Sequence, residues 1–350
     1  MRWVDPEFTK KQVLRAGESL ISTDCSDSDY ADALNILSNW RSAHAYPLHA
    51  ISVFLKRKSS QVDNSAVVVQ RLKRTSSILS KLKRFPTMKL QRMQDLGGCR
   101  VVLKSVGEVE KLAESLENGN SIHQLHKATN YIDIPKPSGY GGIHLIYKYN
   151  GDKNQYQDYL VEIQLRSMVQ HAWATAVEIV DNFTSQALKS SHGNKDWLDF
   201  FMCASAEFAK IESRPMGDQF QDIDTLQELI RLENKLNAIN QLKAFVVTSR
   251  FINKKNIRKS DYFLLELDES VQVVKITQYR SELLSVATEE YLAREQNAKD
   301  HVNYNVVLVS AISLKGLKAA YPNYFADSTQ FIQYLTQALT VNVSTTPERY

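Results

Sequence analysis

The chain contains few cysteines, and they are far apart. Cys25, Cys99 and Cys203 are the three among 350 residues. An odd number at this spacing suits neither a disulfide framework nor a thiolate metal site. No apolar run reaches the length of a membrane span, and no apolar signal region follows Met1. We therefore expect a soluble, cytoplasmic protein that makes no contact with a membrane.

Acidic residues are scarce in one part of the chain. Between residues 55 and 104 there are 13 Lys and Arg but two acids, Asp63 and Asp95, so this window carries a charge of +11. The net charge of the whole chain is +4, which leaves −7 for the remainder. A basic strip suits a polyphosphate or an RNA end. A solvated helix face with long lysine stems explains the same pattern, and both interpretations stay open.

The most informative segment runs from residue 131 to 144, and its prolines and glycines predict a loop with a defined conformation. Two prolines restrict φ there, and three glycines permit sharp turns and close backbone approach. Tyr140 lies among the glycines, with Lys136 before it and His144 after it. Such a loop presents an aromatic face to a nucleobase, with a cation nearby for phosphate.

Two other segments each supply an acid. Residues 161–166 alternate between apolar and polar side chains. On a strand this alternation places the polar residues Glu162, Gln164 and Arg166 on one face. Residues 92–103 indicate a helix end, a two-glycine turn and a buried strand. This places Asp95 and Arg100 at a strand mouth, where α/β sheets bind ligands. We expect one acid from each segment, Asp95 and Glu162, to share a divalent metal.

A fourth segment precedes these three. Residues 66–73 have the pattern of a strand centred on three valines, and on that strand Arg71 and Lys73 share a face. The residues that follow are predicted to form a helix, which carries Lys81 near its middle.

In this order the four segments resemble the synthetase domain of RelA/SpoT-type pyrophosphotransferases, over about residues 66–180. The resemblance implies an α+β fold of the nucleotidyltransferase-like kind, a mixed β-sheet flanked by helices, followed here by a small α/β C-terminal domain. It also implies transfer of the β,γ-diphosphate of ATP to a ribose 3′-hydroxyl, with Mg²⁺ as cofactor.

The resemblance assigns roles to particular residues. The catalytic residues that hold Mg²⁺ are then Asp95 and Glu162, and Glu162 also orients or deprotonates the hydroxyl. The ATP-binding residues, as phosphate ligands or as a guanidinium stacked on adenine, are Arg71, Lys73, Lys81 and Arg100. In the acceptor site Tyr140 stacks the base, and Lys136 and His144 meet phosphate or ribose. Gln164 and Arg166 support that site.

Composition divides the chain into four parts. Residues 1–65 are predicted to be mostly helical, 66–215 to form the pyrophosphotransferase domain, and 216–243 to be a linker helix. Residues 244–350 form the C-terminal domain, with a strand over 244–251, a hairpin over 262–279, a helix over 281–298 and a strand over 305–310. No His-Asp hydrolase signature precedes the synthetase segments, so we expect an enzyme that only synthesises.

The acceptor is the open point. A small C-terminal domain after a synthetase resembles the CapRel-type fused toxin–antitoxin proteins, through Tyr321 and Tyr324 and the strand before them. That resemblance implies transfer to the 3′ end of tRNA, autoinhibition by the two tyrosines, and release by a phage protein. The alternatives are a (p)ppGpp synthetase that uses GDP or GTP, and an inactive sensor that binds nucleotides or RNA.

Overall fold

The computed structural model describes residues 3–184, 194–220, 222–248, 250–253, 262–268, 273–297, 304–310, 317–318, 325 and 327–341. The helices in these ranges are α1 (Lys10–Ser19), α2 (Asp27–Ala43), α3 (Ala45–Val62), α4 (Thr75–Arg84), α5 (Val106–Glu117), α6 (Met168–Thr184), α7 (Lys195–Ile211), α8 (Thr225–Leu236), α9 (Ala238–Thr248), α10 (Leu284–Asn297) and α11 (Thr329–Val341). The strands are β1 (Val67–Leu72), β2 (Gly97–Leu103), β3 (Gln124–Asn130), β4 (Ile143–Lys148), β5 (Leu160–Ser167), β6 (Arg250–Asn253), β7 (Tyr262–Asp268), β8 (Val273–Tyr279) and β9 (Tyr304–Ser310).

The described strands form one nine-stranded sheet, in the order β3-β4-β5-β2-β1-β9-β7-β8-β6. The pairs β2–β5 and β6–β8 are parallel and the other neighbours are antiparallel. Helices pack against this sheet, so the predicted fold class, a mixed β-sheet flanked by helices, is confirmed. No helix among the described residues is both long and apolar enough to cross a membrane.

The strand β5 has the alternation that its sequence predicts. Val161, Ile163 and Leu165 are completely buried in the main core, while the residues between them line the opposite face. Strand β2 differs from the prediction, because Gly97 and Gly98 belong to the strand and not to a turn. Both glycines are paired on both sides, with β1 and with β5, so the sheet continues through them.

The C-terminal strands, β6 to β9, continue the sheet that β1 to β5 form. Strand β9 pairs with β1, joining Gln70 to Ser310 and Arg71 to Val309. The predicted hairpin, the helix after it and the strand over 305–310 are confirmed as β7–β8, α10 and β9. The predicted strand over 244–251 is wrong for its first five residues, which belong to α9. The apolar residues at the start of that helix, Ala238 and Leu242, pack into a core, which suits a helical face.

Helix α11 packs on α6 and α7 and fills a core that would otherwise be open. Its Phe331 is 1% exposed, and its ring lies 5.7 Å from that of Phe201 and 5.4 Å from that of Phe208.

We expect Phe331→Ala to lower the free energy of unfolding by about 3–5 kcal/mol, because truncating a buried phenylalanine leaves a cavity. Urea unfolding measures this. Phe85→Ala is the control, since Phe85 is 45% exposed; equal losses for both variants would contradict the packing role of α11.

Candidate active site

Four adjacent strands carry polar residues to one face of the sheet. In the ladder, Arg71 of β1 is opposite Gly98 of β2, which is opposite Glu162 of β5. Two residues further along β2 and β5, and so on the same face, Arg100 is opposite Gln164, which is opposite His144 of β4. Residues opposite each other on neighbouring strands point to the same side. Because Gly98 has no side chain, the space between Arg71 and Glu162 stays open.

That space is a cavity of about 80 Å³, called here the Asp95 cavity. Its lining residues are Arg71, Lys73, Asp95, Gly98, Cys99, Arg100, Glu162 and Gln164. Oδ2 of Asp95 accepts hydrogen bonds from Nζ of Lys73 at 2.8 Å and from Nζ of Lys81 at 2.9 Å. Two cations and an acid are thus held together at its edge. Charges arranged in this way suit a ligand that carries several phosphates.

The second carboxylate oxygen of Asp95, Oδ1, is not used by either lysine. Oδ1 is buried and has no hydrogen-bond partner among the described residues. A buried carboxylate oxygen without a partner is costly, so it commonly marks a place where a ligand binds. Glu162 lines the same cavity. Two carboxylates fit Mg²⁺, which takes few protein ligands and completes its shell with phosphate and water. Across the described part of the chain, no group of three or more acids, histidines or cysteines offers a complete metal site.

Glu162 belongs to a closed ring of hydrogen bonds. Its Oε1 is 3.0 Å from Nδ1 of His144, and its Oε2 accepts from Nε2 of Gln164 at 2.8 Å. Nε2 of His144 is 2.5 Å from the hydroxyl of Tyr140. Arg166 closes the ring, since its Nη2 donates to the Tyr140 hydroxyl at 3.1 Å and to Oε1 of Gln164 at 3.0 Å. A histidine that donates from Nδ1 to Glu162 and accepts at Nε2 from Tyr140 satisfies every bond of the ring.

The ring also sets the charge state of Glu162. Burial raises the pKa of this carboxyl group, but the hydrogen bond from His144, with smaller effects of Gln164 and Lys73, outweighs burial and lowers the pKa from 4.5 to about 2. Glu162 is therefore ionised at neutral pH. A carboxylate with so low a pKa is a weak proton acceptor, because general bases work best with a pKa near the operating pH.

The low pKa of Glu162 gives a prediction about stability. The ionised group stabilises the fold above its usual pKa of 4.5, and this contribution is lost as the pH falls through about 2. A difference of this size corresponds to about 3 kcal/mol at neutral pH. In a ¹³C NMR titration, the folded-state signal of Glu162 should stay that of a carboxylate at about pH 3, while glutamates of the urea-unfolded chain titrate near 4.3. Protonation of folded Glu162 near that value would contradict the assignment.

A larger cavity of about 400 Å³ lies on the other side of Gln164 and is called here the Tyr140 cavity. Its polar lining includes Lys136, Tyr140, His144, Gln164 and Arg166, and its apolar wall comes from α6 and α7, including Trp173 and Phe201. Its volume is within the range of small-molecule sites. Gln164 lines both cavities, so the two are neighbours.

The loop between β3 and β4 is held against this cavity by α7. Ser205 of α7 donates a hydrogen bond to the carbonyl oxygen of Gly139 at 2.5 Å. Gly139 has a φ of +89°, and a Cβ there would lie 2.7 Å from Cβ of Ser205. Only glycine fits this position. Lys136 places Nζ 4.3 Å from the ring centre of Tyr131 and 4.9 Å from that of Tyr140, and burial lowers its pKa.

The structure brings together most of the residues that the sequence singled out. Asp95, Glu162 and the four predicted ATP-binding residues lie in or beside the Asp95 cavity. The five predicted acceptor-binding residues line the Tyr140 cavity. Tyr321 and Tyr324 lie outside the described residues. Sequence reasoning missed Arg41 and Glu295, which contact the Lys73–Thr75 segment, and Tyr291, which contacts Arg41. The one available signal was an arginine next to Trp40 on a predicted amphipathic helix.

A basic site with two acids on a mixed sheet has charges that suit a ligand with several phosphates. Residues 70–181 match the family RelA_SpoT, described as a region found in RelA/SpoT proteins. This part of the chain is therefore similar to that region of RelA/SpoT proteins. The match ends at residue 181, and the resemblance of the C-terminal part to a fused toxin–antitoxin stays a prediction.

Similar proteins come from Bacillus subtilis (strain 168). The GTP pyrophosphokinase YjbM is 32% identical over 115 residues, which are 31% of this chain and 52% of the relative. The GTP pyrophosphokinase YwaC is 27% identical over 111 residues, 30% of this chain and 52% of the relative. The chain thus spans about half the length of the curated relatives it matches. The crystal structure of Bacillus subtilis small alarmone synthetase 1 bound to its product pppGpp is 24% identical, with a TM-score of 0.41, over 47% of this chain and 87% of that chain.

Proposed function

We propose that the protein is an ATP pyrophosphotransferase whose acceptor is the 3′-hydroxyl of a guanosine nucleotide. The observation that carries the proposal is the pair of adjoining cavities, one basic and acidic and the other aromatic, with the hydrogen-bonded ring of Glu162 between them. In the reaction the acceptor oxygen bonds to the β-phosphorus of ATP and the bond between that phosphorus and the α,β-bridging oxygen breaks. AMP leaves, and the hydroxyl proton passes to the protein or water.

The Asp95 cavity is the donor side of this proposal. Lys73, Lys81, Arg71 and Arg100 neutralise the phosphates of ATP, and guanidinium groups bind them through two hydrogen bonds at once. Asp95 and Glu162 would hold Mg²⁺, which supplies charge neutralisation for the transferred phosphates. The unpartnered oxygen of Asp95 supports this assignment.

The Tyr140 cavity is the acceptor side. Its aromatic wall covers the base, while Lys136 and Arg166 supply positive charge for the acceptor phosphates. We assign acceptance of the hydroxyl proton to the His144–Tyr140 pair, because the low pKa of Glu162 suits a group that orients His144 and carries negative charge. The hydroxyl of Tyr140 already contacts His144 and Arg166. The ring of this tyrosine is therefore held in place before a base binds.

The guanosine acceptor is preferred because both curated relatives are named GTP pyrophosphokinases. A second candidate is the 3′ end of tRNA. It is favoured by exposed cations on and after α4, namely Lys83, Arg84 and Arg92, and by the guanidinium of Arg84, which lies over the exposed ring of Phe85. Cations interleaved with an exposed aromatic ring suit single-stranded RNA. On this candidate Tyr321 and Tyr324 hold the enzyme inactive until a phage protein binds the C-terminal part.

An inactive sensor is the third possibility. The ring around Glu162 and the ion pairs of Asp95 argue against it. The ring holds Glu162 ionised, as metal binding requires, and Asp95 gathers the two lysines that phosphate binding requires.

The acceptor is tested with the full chain, Mg²⁺ and γ-labelled ATP. GDP, GTP and deacylated tRNA are offered separately, and Glu162→Gln is run beside the parent in each reaction. Label on GDP or GTP that the variant does not produce supports the main proposal. Label on tRNA alone supports the second candidate and contradicts the first. Nucleotide binding without transfer to any acceptor contradicts the main proposal. The variant Tyr324→Ala then separates the other two, because transfer to tRNA by this variant supports the autoinhibited second candidate, and no transfer supports the sensor.

A further inference from the structure

A buried arginine joins three distant segments of the chain beside the Asp95 cavity. Arg41 of α2 is 1% exposed. Its Nε donates a hydrogen bond to the backbone oxygen of Lys73 at 2.5 Å, and its Nη1 lies 3.2 Å from Oε2 of Glu295 on α10. Its Nη2 donates to the hydroxyl of Tyr291, and the guanidinium lies 4.8 Å from the centre of that ring.

Glu295 uses its other oxygen to hold a second segment. Oε1 accepts a hydrogen bond at 2.9 Å from the backbone N–H of Thr75, the first residue of α4. The residue before it, Arg74, makes no side-chain cap of its own. A carboxylate at a helix N-terminus satisfies an open N–H group and interacts favourably with the helix dipole. Glu295, from the far end of the chain, therefore caps α4.

Both segments that Glu295 reaches lead to Asp95. Through Arg41 it fixes the backbone of Lys73, and through Thr75 it fixes the start of α4, which carries Lys81. Lys73 and Lys81 are the two cations that bind the same oxygen of Asp95. The strand pair β1–β9 adds a third link, because it joins Arg71 to Val309. The position of both ammonium groups thus depends on contacts made by α10.

We propose that Glu295 and Arg41 are positioning residues for ATP, and that α10 is a structural part of the donor side of the site. The inference rests on the proposed function for its substrate. A buried arginine that loses its counter-charge is strongly disfavoured, so the local structure shifts when Glu295 is neutralised. The segments that shift carry Lys73 and Lys81, whereas the Tyr140 cavity is built from the loop between β3 and β4 and from β4, β5, α6 and α7. We therefore expect the Tyr140 cavity to keep its structure when Glu295 is neutralised.

Glu295→Gln tests this in the full chain. Glutamine keeps an oxygen for the N–H of Thr75 but sets an NH₂ group against the guanidinium of Arg41. Binding of an ATP analogue with a methylene bridge between its α- and β-phosphates is measured by calorimetry, with the KM values for ATP and for GDP or GTP. We expect the affinity for the ATP analogue to fall, and the KM for ATP to rise, by about tenfold or more. The KM for the acceptor should stay within about twofold of the parent's value.

Glu289→Gln is the matched control, because Glu289 is an exposed acid on the same helix. Tyr291→Phe keeps the ring over Arg41 and removes the hydroxyl, so it should weaken ATP binding by a smaller factor in a folded protein. This variant carries the test if Glu295→Gln does not fold. The inference is overturned if the two variants lower only the melting temperature, or if they weaken ATP and acceptor equally.

The outcome separates this inference from the proposed function. A parent chain that binds the ATP analogue but transfers nothing contradicts the function, and the calorimetric comparison of Glu295→Gln with Glu289→Gln still decides the positioning role. A parent chain that does not bind the analogue contradicts both.

Discussion

Replacing Glu162 with glutamine should lower turnover by roughly a thousandfold, the upper end of the range for removing one electrostatic contact to the transition state. The substitution removes the negative charge that would help to hold Mg²⁺. It also sets an NH₂ group against either His144 or the amide of Gln164, because both now donate to the carboxylate. Glutamine has nearly the same volume as glutamate, so the sheet around β5 should stay intact.

Initial rates with saturating ATP and acceptor measure this effect, and circular dichroism and thermal melting check the fold. Glu110→Gln is the matched control, because Glu110 is exposed on α5. The control should keep the rate of the parent. If Glu162→Gln retains a tenth or more of the parental rate while folded, Glu162 is not a catalytic residue.

Asp95→Asn should have the second-largest effect, a fall in turnover of about a hundredfold or more. Lys73 and Lys81 both depend on the charge of Asp95, to which each lies within 2.9 Å. An asparagine leaves the two ammonium groups close together without a counter-charge, so they separate and no longer present their charges to one phosphate chain. The oxygen assigned to Mg²⁺ also loses its negative charge.

Two measurements distinguish Asp95→Asn from a general loss of activity. The Mg²⁺ concentration that gives half of the maximal rate should rise, and the KM for ATP should rise with it. Asp24→Asn, at an exposed position before α2, serves as the control and should change neither. An unchanged dependence on Mg²⁺ in Asp95→Asn would remove Asp95 from the proposed metal site.

Local patterns in the sequence predict the part of the site that comes from single strands and loops. Alternation in β5 places Glu162, Gln164 and Arg166 on one face, and the structure has them there, joined by hydrogen bonds. The predicted two-glycine turn is wrong, because glycines favour turns locally, whereas pairing with β1 and β5 keeps Gly97 and Gly98 in a strand. The predicted strand is wrong over residues 244–248, because a short apolar run fits a strand or a buried helix equally well.

Contacts between distant segments are beyond such patterns. The pairing of β9 with β1 joins residues more than 200 positions apart, and so does the contact of Arg41 with Tyr291. Neither segment carries a periodicity that identifies its partner. The sequence therefore predicts Lys73 and Lys81 as ligands for phosphate but not the helix α10 that positions them.

Transfer of an intact diphosphate is the central claim, and the products of ATP test it most directly. The full chain is incubated with Mg²⁺, an acceptor and ATP labelled on both the β- and the γ-phosphorus, and AMP, ADP and the acceptor product are quantified. We predict AMP and acceptor product in equal amounts, with both labels on the acceptor and none of this with Glu162→Gln. Release of ADP with a single phosphate on the acceptor, or of AMP and free pyrophosphate without acceptor product, would contradict the claim.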